Sequence, residues 1–255
     1  MKAALLFLRD HKKMLMLMML AFTLLMTACQ SSFAGGNVEE VKMDGVTAWL
    51  VRDPSLPIIT MQMTFKRGGS ISNPAIRYPA AKEGLSYLTA RLLKEGAGDR
   101  RSAPFHEMLD MYAIDLSVSS GHDNITVAME CLSEHADKAF MLLGEMLTRP
   151  RFDEDAIQRL QTEHQSDLKQ LEESPDHQLN EAFYRTAFAG HPYAKPSYGT
   201  AASITALTRA DFQKFARAHI SKDQVIVSVA GDIDATTLKT LMHQNLSALP
   251  DHAAL

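Results

Sequence analysis

The chain has only two cysteines, one tryptophan and no run of basic residues in its 255 positions. With Cys29 and Cys131 as the whole complement, one disulfide at most could form, which excludes a disulfide-stapled scaffold. A net charge of -4 without a Lys/Arg cluster gives no reason to expect nucleic acid as a partner. Long apolar runs are missing too. The run from Met14 to Ala28 falls short of a membrane span, while the 46% hydrophobic content is ordinary for a folded domain.

What that apolar run does fit is an export signal. Lys2, Arg9, Lys12 and Lys13 precede it, and it closes in Leu25-Met26-Thr27-Ala28-Cys29-Gln30-Ser31-Ser32. This resembles a bacterial lipoprotein signal, with small residues before a Cys that becomes the acylated N-terminus. The expectation is a signal peptide with lipobox over 1–29, Cys29 lipidated, and a linker over 30–37. The protein is then periplasmic and anchored to a membrane by its lipid, with Gln30 after the Cys favouring the outer membrane by analogy. The alternative is an ordinary signal cut after Ala34, in Ser32-Phe33-Ala34, and a soluble periplasmic protein. Once Cys29 is acylated, Cys131 stands alone in the alternation of a strand and reads as a buried, inert thiol.

Strand signals begin after the linker. Val38 to Met43 and Thr47 to Arg52 flank the hairpin dipeptide Asp44-Gly45, and Pro57 to Phe65 follows with Ile, Thr and Met in alternation. Further strands are expected over Ile114 to Ser119, Asn124 to Cys131 and, as a near-continuous β-branched run, the central strand Gln224 to Ala230. Helices are expected from Ser102 as a cap, from Glu134 to Leu147, from a cap at Asp153 to Glu173, and from Pro175 to Phe188. Two more are expected, one after the capping box Thr208-Arg209-Ala210-Asp211 and one from Asp234 to Leu246. Two groups of strands with helices between them argue an α+β fold, one mainly antiparallel sheet covered by helices.

The stretch that organises the chain is Gly84-Leu85-Ser86-Tyr87-Leu88-Thr89-Ala90-Arg91-Leu92-Leu93-Lys94-Glu95-Gly96. Its leucines recur at helical spacing between two glycines. Phe65-Lys66-Arg67-Gly68-Gly69-Ser70 precedes it. Together these resemble the N-terminal signature of the insulinase, pitrilysin and mitochondrial-processing-peptidase family. There a strand ending in R-G-G or R-G-S leads to a helix reading G-L-x-H-x-x-E-H-x-x-x-x-G-T, the inverted zinc motif. The resemblance extends through Leu147-Thr148-Arg149-Pro150-Arg151-Phe152, His191-Pro192-Tyr193 with Gly199-Thr200, and Val225 to Gly231. It covers an insulinase-like N-terminal domain over 38–250, with a second homologous domain expected beyond residue 255.

On that motif the first His falls on Tyr87, the Glu on Ala90 and the second His on Arg91. Two imidazoles on one helix face grip a zinc, and the carboxylate between them activates its water. A phenol, a methyl and a guanidinium do neither, because Arg91 has no lone pair to give and Ala90 takes no proton. The family's third zinc ligand is a Glu on a later helix, two turns after another Glu. With Glu163 as that earlier residue the position is Gln170, a poor ligand; Glu172 or Glu173 is the alternative register.

The resemblance therefore implies a non-catalytic subunit without a metal cofactor, partnered by a catalytic insulinase-type chain. It also implies peptide capture on the edge strand formed by Ile114, Asp115, Leu116, Ser117, Val118 and Ser119. An alternative is an active zinc peptidase with a relocated site drawn from His106, Glu107, His122, His135 or His164. A structural or binding envelope lipoprotein unconnected to peptidases is a third. The near-motif His106-Glu107-Met108-Leu109-Asp110 reads as a solvated helix face. His191 reads as a turn residue. Arg91 is expected either to pair with Glu163 or Glu172 in place of the metal's charge, or to lie solvated on its helix.

Overall fold

The structure, a computed structural model, describes residues 37–70 and 82–253. Cys29, Ala34 and most of the expected linker lie outside them. Asp44-Gly45 makes the expected hairpin between β1 (Val38–Met43) and β2 (Val46–Arg52). Both turn residues take positive φ, 47° and 81°, as a type I′ turn requires. Then follow β3 (Ile58–Lys66), α1 (Leu85–Leu93), the short pair β4 (Gly96–Ala97) and β5 (Arg100–Arg101), α2 (Ser102–Met111), β6 (Asp115–Ser120) and β7 (Asn124–Leu132). The second half holds α3 (Ala136–Thr148), α4 (Glu154–Glu173), α5 (Pro175–Ala187), α6 (Ala201–Thr205), α7 (Arg209–His219), β8 (Val225–Gly231) and α8 (Ala235–Leu246).

Six strands form one mixed sheet in the order β1-β2-β8-β3-β7-β6. Every neighbouring pair is antiparallel except β2 and β8, which run parallel. The α+β fold with a mainly antiparallel sheet is as expected, and β8 is indeed central. One face carries the core. Ile59, Met61, Met63 and Phe65 of β3 alternate inward beside Ile125, Val127 and Met129 of β7, and pack with Phe105, Phe140, Phe212 and Phe215 of the helices. Each such side chain contributes about 1.5–3 kcal/mol through burial. Cys131 joins this layer, and burial pushes its thiol up to about 11, so it stays protonated at neutral pH. Among the described residues the helices cover that face alone; Trp49, Thr60, Gln62 and Ser228 point the other way and are exposed.

Several boundaries differ from the sequence reading, each for a local reason. The sixth strand begins at Asp115, because the Ile114 N–H is taken by the Leu109 carbonyl at 2.9 Å in closing α2, with Ala113 at a φ of 49°. Ser102 starts α2 without capping it; its hydroxyl donates to Glu95 Oε2 at 2.6 Å. Asp153 holds the N-cap position of α4, but its carboxylate accepts from Arg151 Nε at 2.7 Å. The Thr208 box forms as expected, with Thr208 N–H donating to Asp211 Oδ2 at 2.9 Å.

His219 ends α7 inside the core, its ring 4.4 Å from that of Phe215. Burial lowers its pKa from the ordinary value to about 4. The folded chain therefore refuses a proton that the unfolded chain accepts as pH falls below about 6.5, so stability is lost between about pH 6.5 and pH 4. Unfolding by urea at pH 4.5 is expected to cost about 2–3 kcal/mol less than at pH 7.5. In His219→Leu that difference should shrink, and an unchanged difference would refute the assignment.

Candidate functional site

The helix that carries the motif positions is fixed at its start by two glycines. Gly84, with φ at 82°, precedes α1, and Gly199, also at 82°, lies against it. A Cβ on Gly84 would stand 2.7 Å from the Tyr198 carbonyl oxygen, and one on Gly199 would stand 2.6 Å from that of Glu83. Neither position tolerates a side chain. Gly69 is equally confined, since a Cβ there would meet the His122 carbonyl oxygen at 2.1 Å. The glycines of the R-G-G, G-L and G-T segments thus bring strand, helix and loop together by backbone contact.

Along α1, Ser86 is buried, and its Oγ donates to the Gly68 carbonyl at 2.6 Å and lies 2.5 Å from Ser120 Oγ at the end of β6. Ala90 is buried at 2% exposure. Tyr87 and Arg91 face α4. Arg91 Nη2 lies 2.5 Å from Glu163 Oε1 and its Nη1 lies 3.4 Å from Asp167 Oδ2, with the guanidinium carbon 5.9 Å from the centre of the Tyr87 ring. Burial alone would lower the Arg91 pKa. The Glu163 bond and the charges of Tyr87, Glu163 and Asp167 outweigh it and hold the pKa above its ordinary value.

His164 sits beneath this pair at 1% exposure, its ring 4.7 Å from that of Tyr87 and its Nε2 2.8 Å from the Tyr198 carbonyl oxygen. Burial, with the nearby Arg91 charge, pushes the His164 pKa down, so the ring is neutral at pH 7. A neutral ring with Nε2 donating to that carbonyl leaves Nδ1 as a buried acceptor without a hydrogen-bond partner among the described residues.

Sequence reasoning placed Glu163 opposite Arg91 as one of two candidates, and the structure pairs them. Glu172 is not a partner of Arg91; the second carboxylate is Asp167, one helical turn beyond Glu163, a residue the sequence reading did not single out. The i, i+4 spacing of Glu163 and Asp167 was the available signal. Gln170, expected at the third-ligand position, is exposed on α4, and the α4 side chains that meet Tyr87 and Arg91 are Glu163, His164 and Asp167. The relocated-site candidates are dispersed: His106 and Glu107 lie on α2, His122 in the turn before β7, His135 before α3 and His164 on α4. Among the described residues no three His, Cys, Asp or Glu side chains converge as a metal site.

The donor set opposite α4 does not suit zinc. A charged guanidinium held by both carboxylates stands at one ligand position and a phenol at another, and Ala90 offers no base.

Beside this cluster a groove of about 870 Å³ opens between α5 and the 192–200 loop, its walls including His122, His177, Tyr184, Tyr193 and Tyr198. The Tyr198 ring also lies 5.0 Å from that of Tyr87. Tyr193 donates its hydroxyl to Asp123 Oδ2 at 2.8 Å, and His191 forms the turn, accepting the Tyr193 N–H on Nδ1 at 3.2 Å.

A mixed sheet backed by helices, with the frame of an inverted zinc motif running from sheet to helix, defines the peptidase class whose metal helix reads H-x-x-E-H. Residues 68–201, more than half of the chain, match the profile of the insulinase family (peptidase family M16), and the chain belongs to that family. It is similar to the non-peptidase homolog YmxG of Helicobacter pylori, 28% identical over 200 residues, covering 78% of this chain and 45% of that one. It is also similar to an uncharacterized zinc protease of Rickettsia bellii, 24% identical over 198 residues, 78% of this chain and 46% of that one. Among solved structures, the inactive domain of a peptidase M16 from Pseudomonas fluorescens superimposes with a TM-score of 0.78 at 22% identity, covering 86% of this chain and 52% of that chain. The chain spans about half the length of the curated relatives it matches.

Arg91 is half-buried, while Glu163 and Asp167 are each nearly half exposed, so solvent screens the pair. Arg91→Ala is expected to cost about 1 kcal/mol and lower the melting midpoint by about 2–4 °C. A double-mutant cycle with Glu163→Ala isolates the pair. A midpoint within about a degree of wild type would show a solvated arginine instead.

Proposed function

We propose that this chain is a non-catalytic member of the insulinase family that binds peptides in an assembly with a catalytic subunit, in the bacterial envelope. One observation carries the reading: the positions that should hold a metal and its base are Tyr87, Ala90 and Arg91, with Arg91 paired to Glu163 and Asp167. Binding does not need the missing chemistry. Among the described residues the sixth strand is a sheet edge, hydrogen-bonded only to β7, and its end meets α1 through Ser86 and Ser120. An extended peptide adding there takes its affinity from backbone hydrogen bonds, and the nearby groove walled by Tyr184, Tyr193 and Tyr198 offers aromatic surface for one of its side chains.

The name of the Helicobacter relative supports the non-catalytic part, and the relatives' greater length supports a role alongside further domains or subunits. The envelope location rests on the Leu25 to Ser32 segment, with Cys29 as the lipidated residue and the outer membrane favoured. An anchor of this kind would hold the peptide-binding domain at the membrane surface.

Elemental analysis of the purified protein is expected to find close to no zinc per chain. About one zinc, removable by a chelator, would return an enzyme to consideration. For the edge strand, Ser117→Pro removes one backbone donor from β6. A fluorescent peptide that binds wild type is expected to lose about tenfold in affinity, with circular dichroism reporting separately whether the sheet survives. Unchanged affinity would move peptide binding away from β6.

A further inference from the structure

The two ends of the sheet differ in character. At one end the strand registers bring together the start of β1 at Val38, the close of β2 at Arg52, the close of β8 at Gly231, the start of β3 at Ile58, the close of β7 at Leu132 and the start of β6 at Asp115. Large apolar side chains are exposed there: Val38 at 60%, Leu56 in the β2–β3 loop at 61%, and Met111, which closes α2 just before β6, at 69%. They run from the β1 side of the sheet to the β6 side, a width of ~24 Å for strands about 4.8 Å apart. The turns at the other end, Asp44-Gly45, Arg67 and His122-Asp123, are polar.

The loop Asp53-Pro54-Ser55-Leu56-Pro57 holds its leucine outward in a fixed pose. Pro54 and Pro57 restrict the backbone on either side. The Ser55 N–H donates to Asp53 Oδ1 at 3.0 Å, the Ile58 N–H to the Leu56 carbonyl at 2.8 Å, and the Ser133 N–H to the Pro57 carbonyl at 3.0 Å. Exposed apolar side chains gathered on one surface and rimmed by polar ones mark a protein or membrane contact. Glu39, Asp53, Asp115 and Asp232 belong to that rim, with Arg52 among them. Chain length selects the membrane. Val38 follows Cys29 by nine positions, so the two stand no more than ~31 Å apart in any conformation. The nine residues of β3 span ~27 Å. With Cys29 in a bilayer, the polar end of the sheet reaches lipid only if residues 29–38 run straight along its whole length. The Val38 end reaches it with the least extension.

We propose that this end of the sheet is the domain's membrane-contact surface, with Val38, Leu56 and Met111 seated in the interface of the bilayer that holds the Cys29 lipid. The inference rests on the anchoring of Cys29 put forward above and adds an orientation to it. The domain stands on its Val38 end. The helix α1, the aromatic groove and the Ser120 end of β6 lie at the opposite end, carried ~27 Å from the lipid toward the aqueous side. The acidic rim also sets a headgroup preference. Polybasic surfaces are drawn to anionic lipid, and carboxylates reverse that sign, so zwitterionic headgroups are favoured here.

The experiment places an environment-sensitive dye at either end of the acylated protein, purified from membranes and reconstituted into phosphatidylcholine vesicles that carry brominated acyl chains. Ser55→Cys labels the loop beside Leu56, and Gln244→Cys labels the exposed α8 surface beside the Asp44-Gly45 turn. Cys131 is buried and stays unlabelled, and acylation occupies the thiol of Cys29. Bromolipid quenching is expected to be at least about threefold stronger at Ser55 than at Gln244. Leu56→Ser with Met111→Ser should bring the Ser55 signal down to the Gln244 level while the protein still floats with the vesicles on its lipid. Replacing about a third of the lipid by phosphatidylglycerol should lower the Ser55 quenching.

Mass spectrometry of the N-terminal peptide separates the two readings. A Cys29 without acyl chains would remove the anchor and this proposal with it. An acylated protein that floats but shows equal quenching at Ser55 and Gln244, or none at Ser55, would overturn the contact surface and leave the anchor standing. So would Ser55 emission that shifts to the blue only as the protein is crowded on the vesicles, because a second copy would then be the occupant.

Discussion

The contact between the backbones of Gly84 and Gly199 constrains everything around the candidate site. Two chain segments separated by more than a hundred residues touch where no side chain fits, and both glycines adopt a backbone that other residues rarely take. That contact sets the first turn of α1 against the loop that carries Tyr198, and Tyr198 in turn receives His164 through its carbonyl and Tyr87 through its ring. The pose of Tyr87 and Arg91 against α4 therefore follows from backbone packing. It does not require a metal to hold the helices together.

Within that frame, the charge at the helix interface has been arranged with protein groups. Arg91 brings a permanent cation to Glu163 and Asp167, and Tyr87 spreads over His164. A metal-free version of this interface would otherwise leave two carboxylates facing each other across one helical turn, a repulsive arrangement. The guanidinium removes the repulsion and supplies geometry through hydrogen bonds, while its lack of a lone pair ends any ligand role. One substitution thus serves the fold and opposes the chemistry.

Much of the architecture was legible in the sequence because it is local. The Asp44-Gly45 hairpin, the Thr208 box and the β-branched run of β8 each declare themselves within a few residues. The motif positions were legible through spacing, once the R-G-G and G-L segments fixed the register. The α4 partners were harder. The sequence offered Glu163 or Glu172 opposite Arg91 and left Asp167 unremarked; the crossing of α1 and α4 decides which turn is presented, and that turn holds Glu163 and Asp167. Ser102 and Asp153 look like caps in sequence, yet Glu95 and Arg151 compete for their side chains. The open sheet face was invisible as well, because a β-branched strand reads the same whether or not its second side is covered.

The parallel pairing of β2 with β8 has a consequence for the order of folding. Ala48 to Arg52 take their partners from Val227 to Gly231, so the contact spans most of the domain. A chain emerging N-terminus first can complete the β1–β2 hairpin early, but it cannot join that hairpin to the rest of the sheet until β8 has also emerged. Until then β3 and β2 both keep unpaired edges where β8 will later insert between them. Non-local pairing of this kind is slow and leaves strands open to association in the interval. The last strand to appear is the one that closes the sheet, which makes β8 the keystone of assembly.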